Sequence, residues 1–266
     1  MSEVNFGSGS TPVDAPASEQ QNAQNDAQQT QSQAVARPVL ESYTPTLAHI
    51  ILPSLQLAHP VGEVGKTHPH GAIVYDNRIE LYAPAEIDAA AGVIKRPATP
   101  PVIVTVLAVE QPEYTEKVAG GKRGLTVKTE EAVTACGGTL DYNEWQLKKS
   151  TGMKYFVPKT RLMLAIERPE RLSDDGSLFV HEVDGKKYTL AFFTVKAGAY
   201  TAVCKRVVFP AKITGCLMRG YPAFSFALST RLNSYDSGNS SWVPVLVPNK
   251  ASSESFLKFA QQVLQG

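Results

Sequence analysis

Few residues of this chain stand at spacings that perform chemistry. His68 and His70 flank Pro69 and could ligate a metal, but a transition-metal site needs a third or fourth ligand nearby, and neither a Cys nor a further His is close. Gly65, Lys66 and Thr67 match the end of a phosphate-binding P-loop. The glycine that should open that motif falls on Pro60, and GEVGKTHPHG (62–71) reads as a polar loop with no helix after it. Cys136, Cys204 and Cys216 have no CxxC spacing, so neither a disulfide framework nor a zinc site is expected. GxSxG, HExxH and GxGxxG are absent. His181 reads as a half-buried structural histidine, and Asp174 and Asp175 as solvated turn carboxylates. The expectation is a protein without catalytic residues, metal or cofactor.

Binding chemistry is better represented. Single-stranded nucleic acid is held by cations that track phosphates and by aromatic faces on which bases stack. Tyr114, Lys117, Lys122, Arg123 and Lys128 lie on one segment, YTEKVAGGKRGLTVK, where Gly120, Gly121 and Gly124 bracket the central cations. Such a backbone can bring side chains and amides to a phosphate, or it can be a plain hairpin loop with solvated charges. Lys187, Tyr188, Phe193, Lys196, Lys205 and Arg206 supply the same chemistry on a second segment. Those eleven residues are the candidate nucleic-acid contacts.

The second segment, Leu178 to Phe209, is the element that must position them. Asp184-Gly185 predicts a two-residue hairpin turn, which sets Val183 opposite Lys186, Glu182 opposite Lys187, His181 opposite Tyr188 and Phe179 opposite Leu190. Phe192 and Phe193 then point to opposite sheet faces. Tyr200, Val203, Cys204, Val207 and Val208 form the stripe of a helix packed on one side, which claims Tyr200 for the core. That helix can cover one sheet face, and what covers the other becomes the functional question.

Elsewhere, Pro53 predicts that HIILPSLQL is an edge or bent strand, and 71–82 reads as a hairpin turning at Asp76 and Asn77. IDAAAGVIKRPATPP reads as a linker, and VIVTVLAV (102–109), apolar on both alternations, as a central strand. Thr129 and Asp141 read as caps of two short helices, the second carrying Trp145 against the sheet. In Arg161 to Glu167, Leu162, Leu164 and Ile166 point inward. Tyr221 to Leu232 and Trp242 to Val247 pair across a flexible loop, Asn233 to Ser240, with Pro244 and Pro248 marking an edge. Ser252 or Ser253 caps a last helix bearing Phe256, Leu257, Phe259, Ala260, Val263 and Leu264.

Residues 1–37, rich in Gln, Asn, Ser and Ala, predict a disordered tail, read as a solubilising leader ahead of a tether or self-association element. A β-rich globular domain (38–250) and the C-terminal helix (251–266), packed at home or on a neighbour, follow. The net charge of +1 conceals −7 over residues 1–114 and +8 over 115–266. That split suits either a basic surface that meets a polyanion or ordinary solvated charge. No apolar run reaches the ~18 residues of a membrane span. The N-terminus lacks a signal peptide's basic and apolar regions, so a cytoplasmic protein with no membrane partner is expected.

A hairpin, a helix and two strands joined by a loop is the order found in the second half of an oligonucleotide-binding barrel, whose last loop borders the ligand. The fold class expected is therefore α+β, mainly antiparallel β: an OB-fold-like Greek-key barrel with short helices. TEEAVTACGGTLDYNEW (129–145) and KKYTLAFFTVKAGAYTAV (186–203), with the Gln/Asn-rich tail, give the chain a resemblance to phage-encoded single-stranded-DNA-binding proteins over about residues 100–250. The resemblance implies single-stranded DNA as partner, bound without sequence preference in replication or recombination, with homo-oligomerisation left open. One departure is that the chain ends in KFAQQVLQG rather than an acidic tail. A virion or assembly protein, using the sheet face and C-terminal helix for subunit contacts, is the alternative.

Overall fold

The run 102–109, apolar on both alternations apart from Thr105, has nowhere to expose a face, and in the computed structural model it is an interior strand with neighbours on both sides. The structure describes residues 51–265 apart from 89, 122, 174–175, 214–220 and 235–237. The expected tail, Lys122, Asp174, Asp175, Cys216 and residues 235–237 of the 233–240 loop lie outside the described residues.

In chain order the strands are β1 (Ser54–Leu57), β2 (Ile73–Tyr75), β3 (Ile79–Tyr82), β4 (Glu86–Asp88), β5 (Val93–Arg96), β6 (Val102–Val109) and β7 (Glu113–Lys117). They continue with β8 (Arg123–Val127), β9 (Gly138–Thr139), β10 (Lys154–Glu167), β11 (His181–Val183), β12 (Lys186–Lys196), β13 (Phe224–Ser234) and β14 (Ser240–Ala251). The helices are α1 (Glu63–Thr67), α2 (Glu130–Ala135), α3 (Tyr142–Lys148), α4 (Ala197–Tyr200), α5 (Phe209–Ile213) and α6 (Glu254–Gln265), with a π-helical stretch, Thr201–Val208, joining α4 to α5. The fold is thus mixed α+β, mainly strands, with one strongly curled, half-barrel sheet and short helices. The sheet runs β14-β13-β6-β10-β12-β1-β2-β3, with β7 and β8 extending from the first half of β10.

Curling sorts the apolar side chains into two layers. On the inner side Val104, Val106, Leu162, Leu164, Ile166, Phe193 and Phe226 meet Ile73, Tyr75 and Leu81 from the far end of the sheet, and Tyr200, Val203, Cys204 and Val208 plug the bowl. In the π-helical stretch the Phe209 N–H donates to the Cys204 carbonyl, an i→i+5 bond. That wider turn lines up residues five apart, which suits Val203 and Val208, both fully buried. On the outer side Leu107, Met163, Ala165, Tyr188 and Phe192 are covered by Phe256 and Ala260 of α6. Ser253 caps that helix by accepting from the Phe256 N–H at 3.1 Å, and its hydroxyl donates to Asp184 in the hairpin turn.

The Asp184-Gly185 turn has positive φ at both residues (53° and 72°), and its ladder pairs His181 with Tyr188, Glu182 with Lys187 and Val183 with Lys186 as expected. β11 is only three residues long, so Phe179 leaves the ladder and enters the inner core. Three expectations are corrected. β1 is not an edge: it lies between β12, in parallel, and β2, and Pro53 sits just before it, where its carbonyl accepts from the Phe192 N–H at 2.9 Å. Residues 62–71 are not all loop, since Gly65, Lys66 and Thr67 belong to α1. The stretch 86–96 is a β4–β5 hairpin rather than a linker, with Ile87, Val93 and Ile94 exposed.

Candidate nucleic-acid interface

The three aromatic contact candidates are all buried. Tyr114 packs with Val133 and Phe156 and donates its hydroxyl to Glu130 at 3.3 Å, Phe193 is part of the inner core, and Tyr188 packs against Phe256 and Phe259 of α6 with ring centroids 5.1 and 6.3 Å away. Burial pushes the Tyr188 phenol up to about 12. None of the three presents a face on which a base could stack. The reason is that helices cover both sheet faces, so alternation along β12 exchanges one buried layer for the other.

The cations separate into groups. Lys205 pairs with Glu130 at 3.5 Å, and Lys128 lies two residues before Glu130. Lys117 is exposed at the end of β7, where its backbone pairs with Arg123 of β8, and Arg206 is exposed on the π-helical stretch. Lys187 sits opposite Glu182 near the hairpin turn, nine residues along β12 from Lys196 and so ~30 Å away at ~3.3 Å per residue.

Lys196 stands apart from the other cations, on a cleft that the buried Phe193 also lines. It ends β12 directly opposite Lys159 of β10, and both residues line a cleft of about 740 Å³ bounded by β1, α1, α4 and β14. Residues directly opposite on an antiparallel pair project to the same side, and like charges there are destabilising. Both lysines are exposed, and neither makes an ion pair among the described residues, although Glu113 faces Lys159 from β7. His59 lies on the same cleft, its pKa lowered by burial and then by the charge of Lys196. The cleft's carboxylate, Glu63, is already paired with Lys66 at 2.6 Å.

Trp242 forms another wall of this cleft. The curl of the sheet places it there: the Thr230 hydroxyl donates to the Gly71 carbonyl at 2.7 Å, joining β13 to the approach of β2. Gly71, at φ +86°, lies under the indole ring, where any Cβ would overlap it. Beyond Trp242 the surface continues into a second recess of about 460 Å³, lined by His68, His70, Glu86 and Arg96. Among the described residues no cluster of three His, Cys, Asp or Glu side chains could hold a metal.

The sequence reading found Lys196 and Phe193 but missed Lys159, His59 and Trp242. Trp242 carried a signal, as an aromatic residue just after the loop expected to border a ligand. Lys159 carried none, because its significance lies in a register pairing with a residue 37 positions away. Comparisons with protein-family models, with curated proteins and with solved structures found no match.

Proposed function

We propose that this chain binds single-stranded nucleic acid without sequence specificity, with DNA the expected form, through the cleft at the end of the curled sheet. The observation that carries this reading is the Lys159–Lys196 pair: two exposed lysines directly opposite one another in the β10–β12 ladder, lining a cleft large enough for a ligand together with His59 and Trp242. A phosphodiester chain relieves the repulsion and an indole face suits a base. In this reading the half-barrel works as an oligonucleotide-binding barrel of the OB type, acting in the cytoplasm in phage-type replication or recombination, and the chain has no catalytic role. A mobility shift of an oligothymidylate at two salt concentrations tests it. The complex forms at low salt and weakens steeply at high salt, and absence of binding at low salt contradicts the proposal.

A second reading, a virion or assembly protein, draws on Ile87, Val93 and Ile94, each about 60 % exposed on the β4–β5 hairpin. It predicts self-association without nucleic acid, seen by light scattering. The outer sheet face, first considered for subunit contacts, is occupied by α6 of the same chain.

A further inference from the structure

Away from the cleft, three aromatic rings cluster at the surface rather than in the core. Trp145 stacks on Tyr155 with centroids 5.5 Å apart and planes 29° apart, and Tyr142 lies 5.6 Å from each. Tyr142 is 50 % exposed, and Trp145 and Tyr155 are partly exposed. None of the three belongs to a buried cluster, whereas the next residue, Phe156, points the other way into the core with Tyr114 and Val133. The arrangement is held in advance: Asp141 caps α3 by accepting from the Asn143 and Glu144 N–H groups at 2.7 and 3.0 Å, the Thr139 hydroxyl donates to Glu144 at 2.7 Å, and Tyr155 pairs with Thr139 in the β9–β10 ladder.

The surroundings are cationic. Lys149 lies 5.8 Å from the centre of the Trp145 ring, and residues 141–159 carry four lysines against two carboxylates, Asp141 and Glu144, the latter paired with Lys148 at 2.9 Å. Location links the cluster to the cleft. Tyr155, Val157 and Lys159 share one face of β10, so Tyr155 lies ~13 Å from Lys159 at ~3.3 Å per residue. Between them on this face Val157 is opposite Thr115, while Glu116 pairs with Phe156 on the alternate face and Glu113 stands opposite Lys159.

We propose that Tyr142, Trp145 and Tyr155 form a stacking platform for an unpaired nucleobase of the same strand whose phosphates Lys159 and Lys196 hold. The inference rests on the nucleic-acid reading and adds the direction the strand takes, along β10 from the cleft toward α3. Preformed, partly exposed rings provide the stacking surface that Tyr114, Tyr188 and Phe193 cannot.

The test is fluorescence anisotropy of a labelled oligothymidylate with the full chain and its variants. Tyr142→Ala weakens binding ~5- to 150-fold, the equivalent of one lost base stack, with an unchanged salt slope, because no cation is removed. Tyr142→Phe keeps the ring and binds as the parent chain does, and melting temperatures of both variants stay near the parent's. Binding that is lost on substituting Lys159 and Lys196 but is indifferent to Tyr142→Ala overturns the platform and leaves the cleft reading standing. No binding by the parent chain overturns both.

Discussion

Lys159 and Lys196 show how a residue pair can be suboptimal for folding and suited to a ligand. Lys196→Glu would place opposite charges across the pair, so thermal stability holds or rises by about 0.2–1 kcal/mol while oligonucleotide affinity falls. Calorimetry and anisotropy on the same variant check the two directions; a loss of stability together with affinity would show that Lys196 has a structural role. His59 gives a pH signature. Its folded pKa lies below 6.5, so below that pH the unfolded chain takes up the proton first and this residue's contribution to stability falls as the solution is acidified. A phosphate beside Lys196 favours the imidazolium, so affinity for oligothymidylate rises as pH drops from 8 to 6. His59→Gln removes that slope; an unchanged slope would place His59 away from the ligand. These residues were half legible: Lys196 stood in an evident basic and aromatic segment, whereas Lys159 acquires meaning only from its partner across the ladder.

Among the elements, the hairpin and α6 were legible because their rules are local. Asp-Gly fixes the turn, the turn fixes the register, and a 3.6-residue stripe identifies the buried face of a helix. Long-range pairing was not legible. The parallel docking of β1 on β12 joins segments about 140 residues apart, and it made an interior strand of one that Pro53 suggested was an edge. The same limit misplaced Tyr188, because nothing local says that α6 covers its face. Phe256→Ala removes the ring that seals that face, and a loss of about 3 kcal/mol is expected by urea denaturation. The Tyr188 phenol, pushed up to about 12 by burial, then titrates closer to 10, visible in a spectrophotometric titration. In the parent chain the same raised pKa contributes stability that is full below pH 10 and is lost as pH rises through about 12. Oligonucleotide binding survives Phe256→Ala if the cleft and the first half of β10 form the interface: Lys159 and Lys196 lie on the same face of the ladder as Met163 and Phe192, which α6 covers, but four residues, ~13 Å, further along it.

At the scale of the molecule, the curl of one sheet accounts for both core and cleft. It gathers the apolar residues of eight strands onto one inner face, and it brings the β13–β14 end over the approach to β2 so that Trp242 and Gly71 meet. The −7 and +8 halves of the sequence are redistributed by this closure: His59 and the α1 segment, from the acidic half, face Lys159 and Lys196 from the basic half across the cleft. Among the described residues no helix is long and apolar enough to cross a membrane. The central claim, that the Lys159–Lys196 cleft grips phosphates, is tested most directly by the salt dependence of oligothymidylate binding in the parent chain and in Lys159→Ala with Lys196→Ala. The account predicts that the double variant folds normally, binds more weakly, and shows a log–log salt slope shallower by about 1.4, two phosphate contacts at ~0.7 each. An unchanged affinity and slope would contradict it.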